Sequence, residues 1–165
     1  MEELDENAYL NRETFAMYGN TMYHAQCVEK SLAILVSSVF NKSFFRNNPD
    51  KRAEIQDEAL SKTIGRLLIE MRKLIKIPPN LDASLNEGLK KRNWLAHDYF
   101  WERAGKLLTI EGKKQMISEL QEITDFYSKL DAHLSSICEK WMTKAGITEQ
   151  VLNAGIKKLI EDSVI

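Results

Sequence analysis

Chain breakers are scarce in this protein, with seven glycines and three prolines in 165 residues. A sequence that so rarely interrupts itself reads as mostly helix, and no strand alternation, internal repeat or low-complexity tract is visible in it. Cysteine is almost absent. Cys27 and Cys138 lie far apart inside helical patterns, which excludes a disulfide framework and marks them as small core residues in a reducing compartment. Three dispersed histidines beside two cysteines offer no zinc-ligand spacing, so neither a metal nor a cofactor is expected. An excess of one charge is lacking too. The 23 basic and 24 acidic residues leave a net charge of −1, so any nucleic-acid site must be a local patch and not a global basic field. The longest apolar run, Leu32 to Phe40, is interrupted by Ser37 and Ser38 and falls short of the ~20 residues a membrane helix needs. The opening acids Glu2, Glu3, Asp5 and Glu6 lack the order of a signal peptide, and a cytoplasmic chain with no membrane partner is expected.

What is present is helical periodicity. Phe15, Tyr18, Met22, Ala25, Leu32, Val36 and Val39 recur at three, four or seven and predict a first helix over about 8–39, with Glu29, or Val28 after a slight rotation, on the same seam. A second helix is expected over 49–75, broken near Ser61-Lys62 and stopped by Pro78-Pro79. A third starts near Asn80 or Asp82 and runs to about Arg103, with the seam Leu85, Leu89, Arg92, Ala96, Tyr99 and Arg103. A turn around Gly105 leads to the cleanest pattern: Met116, Leu120, Ile123, Tyr127, Leu130, Leu134, Ile137 and Trp141 alternate steps of four and three. Gly146 and Thr148 then separate a last helix, 149–163. Long helices with short connections predict an all-α fold: an antiparallel four-helix-type bundle over residues 1–145, with residues 146–165 as a C-terminal helix packed on the same domain.

Chemistry concentrates in Arg92-Asn93-Trp94-Leu95-Ala96-His97-Asp98-Tyr99. A histidine moves protons at neutral pH, and a guanidinium holds a phosphate or the charge that builds up on one. Arg92 occupies a seam position where an apolar residue is expected, and a charge there costs free energy unless it is paired or reaches a wet cleft. Asn93 and His97 are four apart and share a face, whereas Arg92 and His97, five apart, diverge by about 140° on an ideal helix. Lys90, Lys91, Arg103 and Lys106 make the region locally basic and are candidates for holding flanking phosphates, partly offset by Asp98 and Glu102. Trp94 and Trp101 are bulky neighbours for an RNA groove. A purely structural reading fits the same residues: Arg92 pairs an acid such as Glu29, and His97 is a satisfied core histidine. His24 and His133 stand alone, and Lys113-Lys114 and Lys157-Lys158 read as solvated faces.

The stretch from Arg92 to Tyr99 resembles the signature of the HEPN superfamily, an arginine, four to six residues, then a histidine, in the longer form with tyrosine two residues on. The segment His24 to Leu32 is similar to that superfamily's first helix, and the resemblance covers roughly residues 10–140. It implies an all-helical homodimer that sets two motif helices side by side, and a metal-independent endoribonuclease of the kind found in toxin–antitoxin pairs and phage defence. In that picture Arg92 and His97 are catalytic, and Asn93, Tyr99 and Glu29 support or position them. It also implies that a nucleotidyltransferase antitoxin modifies Tyr99.

Cleaving RNA without metal needs a base for the 2′-hydroxyl, an acid for the leaving oxygen and a cation for the phosphorane charge. One His97 does one proton job, so the chemistry independently predicts a dimer with two His97 and two Arg92. The competing readings are a non-catalytic HEPN-like dimeric module that binds a nucleotide, RNA or partner protein, and a regulator using Trp141–Ser163 as a helix-turn-helix.

Overall fold

The computed structural model describes residues 5–40 and 63–144. Within them the chain is helical, with no strand: α1 Glu6–Phe40, α2 Ile64–Leu74, α3 Pro79–His97, α4 Tyr99–Glu102, α5 Ala104–Leu107 and α6 Ile110–Lys144. The first part of the expected second helix, 49–62, and the expected C-terminal helix, 149–163, lie outside the described residues.

Local chemistry sets the helix ends. The Ala8 N–H donates to the Asp5 carboxylate at 2.8 Å, an N-cap for α1. Thr63 before α2 makes no side-chain cap; instead the Ile64 N–H donates to Glu29 Oε1 of α1 at 2.9 Å, so a neighbouring helix caps this one. Proline occupies the first turn of α3, where its missing N–H costs no helical bond. The Gly112 N–H donates to the Thr109 hydroxyl at 3.0 Å and caps α6. The expected third helix does not continue to Arg103. It breaks at Asp98, whose φ of −122° and ψ of −18° leave the α region, and α4 resumes at Tyr99.

The two 35-residue helices α1 and α6 form the spine. Their polar contacts advance together along both chains: Asn7 with Lys113, Thr21 with Leu120 and Thr124, His24 with Ser128, Ser31 with Asp131. These helices are therefore parallel, which corrects the expected all-antiparallel arrangement. Short connections do give antiparallel neighbours here. Arg72 of α2 meets Asp82 and Asn86 of α3, and Gly88 and Tyr99 on the α3–α4 strand of chain meet Tyr127 and Met116 of α6. Residues 41–62, between α1 and α2, lie outside the described residues.

One core joins these helices. The α6 seam is buried as read from the sequence from Met116 to Leu134, and Ile137 and Trp141 pack against its edge. On α1 the buried line is Leu10, Thr14, Thr21, Ala25, Val28, Leu32 and Leu35, so Val28 and not Glu29 faces inward, and Phe15 is 52% exposed. The threonines pass as apolar because their hydroxyls bond back into the helix: Thr14 to Leu10 O at 2.7 Å and Thr21 to Met17 O at 2.8 Å, with Thr21 and Thr124 2.8 Å apart across the interface. Lys113, expected on a solvated face, is buried and donates to the Asn7 side chain, whereas exposed Lys114 pairs with Glu6 at 2.8 Å. Cys27 and Cys138 are free and half-buried, not fully in the core, and burial pushes the Cys138 thiol up to about 11. No helix among the described residues is long and apolar enough to cross a membrane.

Candidate functional site

The buried line of α3 is Leu81, Leu85, Gly88 and Leu95, continued past the break by Tyr99. Arg92 falls on this line between Gly88 and Leu95 and is half-buried, as its seam position predicts; Ala96, expected beside it, is exposed. Gly88 brings α3 close to α6. A Cβ there would sit 3.2 Å from Leu130 Cδ2, and the Tyr127 hydroxyl donates to the Gly88 carbonyl at 2.8 Å. Burial drives the Tyr127 phenol well above its ordinary ionisation, the Arg92 charge opposes this, and Glu29 and Glu87 reinforce it.

Arg92 makes no hydrogen bond or ion pair among the described residues. Glu29, the acid that a structural reading would give it, spends a carboxylate oxygen on the N-terminus of α2. A partly buried guanidinium with no direct ion pair among the described residues keeps its donors available to an anion.

His97 is the last residue of α3 and is exposed, as is Asn93 one turn earlier. No hydrogen bond joins them, so the amide does not orient the imidazole within one chain. Arg92 and His97 point to different sides of α3, the half-buried and the open one, as their five-residue spacing requires. A single chain thus offers one accessible proton-transfer group and one anion-ready cation.

Tyr99 differs most from its expected place. Its side chain is 0% exposed, and its hydroxyl donates to the Met116 carbonyl at 3.4 Å. Its ring packs edge-on against Trp94, with centroids 5.0 Å apart, and stacks on Tyr18 at 5.7 Å. Desolvation by burial first, and then the Glu119 charge, raise its phenol far above the ordinary value. In this fold Tyr99 reaches neither a phosphate nor a modifying enzyme. The physical reason is its place on the buried line of α3, four residues after Leu95, which sets Tyr99 beneath the motif.

The expected phosphate-binding cations separate in the same way. Arg103 is committed: Nε and Nη2 donate to both Glu119 oxygens at 2.9 and 2.7 Å, Glu102 lies at 3.6 Å, and the Trp94 ring lies 5.0 Å below the guanidinium. The Trp94 indole N–H donates to Glu102 at 2.8 Å, closing the network. Sequence reasoning missed Glu119. Its signal was an acid on the inner edge of the α6 seam, one turn before Ile123. Lys91 pairs with Glu87 at 3.3 Å and lies over the Phe126 ring. Lys90 is exposed and Lys106 half-buried, and neither side chain has a hydrogen bond or ion pair among the described residues.

Among the described residues no group of three or more His, Cys, Asp or Glu side chains is placed to hold a metal ion. His24 lies with Nδ1 3.3 Å from the Ser128 hydroxyl and edge-on to Tyr23, and His133 is exposed. No family model matches this chain, and neither a curated protein nor a solved structure matches it.

Proposed function

We propose that this protein is a metal-independent endoribonuclease of HEPN type, working as a homodimer in a toxin–antitoxin or phage-defence system. The observation that carries the reading is the contrast within one helix: a half-buried Arg92 with no ion pair among the described residues and, five residues on, an exposed His97 at the helix end. Structural arginines on apolar seams are paired, and core histidines are covered; these residues are neither.

In the proposed reaction one His97 removes the proton from a ribose 2′-hydroxyl as its oxygen attacks the adjacent phosphorus. The second protomer's His97 protonates the departing 5′-oxygen, and Arg92 stabilises the charge on the phosphorane. The products are a 2′,3′-cyclic phosphate and a 5′-hydroxyl. Tyr99 supports the motif helix from below and takes no part in the chemistry.

RNA cleavage in the presence of EDTA by wild type, His97→Ala and Arg92→Ala tests this. Cutting by wild type alone, leaving cyclic phosphate ends, is the expected result. Equal cutting by all three proteins overturns it. A second reading, a non-catalytic HEPN-like dimeric module, is favoured by one specific observation: among the described residues neither Asn93 nor Glu29 makes a hydrogen bond or ion pair to Arg92 or His97. No cutting of a broad RNA panel by folded dimer selects that module.

A further inference from the structure

The exposed side of the motif forms a single line. Lys90, Asn93, His97 and Trp101 follow one another at steps of three, four and four residues, and all four are exposed. The break at Asp98 leaves this line intact, and Tyr99 continues the buried line on the other side.

Trp101 is the unexpected member. It is 87% exposed and makes no ring contact within the described residues. The other two tryptophans have work in the fold. Trp94 packs on Tyr99 and bonds Glu102, and Trp141 packs against the core. An indole that buries nothing contributes nothing to folding.

We propose that Trp101 is a stacking platform for an unpaired nucleobase, next to the nucleotide that His97 acts on; this rests on the ribonuclease reading above. Charge along the line favours this occupant. At the Lys90 end the exposed Lys90 ammonium has no ion pair among the described residues, while Arg92 lies on the other, half-buried side of α3. The acids around them are engaged, Glu87 with Lys91 and Glu102 with Arg103 and Trp94. Asp98, exposed between His97 and Trp101, repels a phosphate there. Phosphate therefore goes to the Lys90 end of the line and a neutral, flat group to Trp101. A rise of about 6 Å separates positions 97 and 101 along a helix, which suits adjacent nucleotides. A base in a duplex keeps its faces covered, so the platform selects single-stranded RNA, with little dependence on base identity.

The test uses uncleavable 2′-O-methyl RNA octamers, read by tryptophan fluorescence and by direct titration. The single strand binds wild type and quenches its emission. Trp101→Ala abolishes the quench and weakens binding about fivefold to 100-fold, whereas Trp101→Phe keeps most of the affinity. An octamer of abasic residues binds wild type as weakly as the full octamer binds Trp101→Ala. Equal affinity of wild type and Trp101→Ala, or equal binding of single strand and duplex, overturns the platform. A fall in sedimenting mass on Trp101→Ala with no change in RNA affinity also overturns it and assigns the indole to a protein interface. Wild type that cuts RNA as well as Trp101→Ala does defeats the platform alone. Wild type that neither binds nor cuts any RNA defeats the ribonuclease reading with it.

Discussion

Arg103 grips Glu119 through two hydrogen bonds, Nε to Oε2 at 2.9 Å and Nη2 to Oε1 at 2.7 Å, and so ties the corner after the motif to α6. Both side chains are mostly covered, so the pair is screened less than a surface ion pair. Glu119→Gln is expected to cost about 1.5–3 kcal/mol in urea unfolding, and Arg103→Ala more, because it also uncovers Trp94. The Arg103 hydrogen bonds hold the Glu119 carboxyl below its ordinary 4.5. A lowered folded value means that this contribution is full above pH 4.5 and fades as the pH falls through the lowered value. Wild type should therefore lose more stability than Glu119→Gln between pH 5 and pH 3. Parallel stability curves would show that the latch carries no such linkage.

The phenol of Tyr99 should be chemically silent. Nitration at pH 8 requires access and some phenolate, and Tyr99 is covered with its ionisation pushed up by burial. Peptide mass spectrometry of a partly nitrated sample should find Tyr9 and Tyr23, both exposed, ahead of Tyr99 and Tyr127. Tyr99→Phe gives up one long hydrogen bond, at most about 0.5–1.5 kcal/mol, while Tyr99→Ala opens a cavity among Tyr18, Trp94 and Phe100 and costs about 3–5 kcal/mol. Early nitration of Tyr99 would mean that the corner opens in solution and would restore that residue as a modification site.

Much of this was legible from spacing, and the exceptions have causes. The α6 seam reads cleanly because aliphatic and aromatic residues fill each four-three step from Met116 to Leu134, with Thr124 buried beside them. The α1 seam is harder to read. Thr14 and Thr21 hide their hydroxyls in local hydrogen bonds, whereas Phe15 stays half open with its ring 5.2 Å from Phe100. Arg92 could be singled out because it interrupts an apolar line. The seam put Tyr99 and Arg103 on the inner side, where the structure has them; their partners Met116 and Glu119 belong to another helix and leave no mark in the spacing of α3. Glu29 served a role invisible in one dimension, capping a helix that starts 35 positions later. Glu29→Ala is accordingly expected to cost about 0.5–2 kcal/mol through α2.

Two glycines of the α5–α6 corner should respond in opposite directions to alanine. At Gly112 a Cβ would run into the Lys106 carbonyl and come within 2.6 Å of its Cα, and backbone cannot swing aside like a side chain. Gly112→Ala is expected to cost about 1–3 kcal/mol or more. At Gly105 a Cβ meets open space, so alanine narrows the unfolded ensemble and stabilises by about 0.4–1 kcal/mol. Thermal unfolding of the two variants side by side decides it, at roughly 2–4 °C per kcal/mol in a chain of this size. Matching shifts would mean that the corner is looser than its packing.

Replacing Arg92 with leucine separates function from stability. The guanidinium lies on the buried line between Gly88 and Leu95 with no counter-ion, so the fold bears its desolvation without return. Leucine restores the apolar pattern and is expected to stabilise by about 0.5–2 kcal/mol, while RNA cleavage falls at least about 100-fold with loss of charge stabilisation. His97→Ala, at an exposed helix end, should leave stability within about 0.5 kcal/mol of wild type and abolish cleavage. A gain in stability with loss of cleavage is the signature of a residue kept for its chemistry at the expense of packing. If Arg92→Leu instead destabilises the protein, the guanidinium has a structural partner in solution, and the strongest argument for an anion site in this helix is gone.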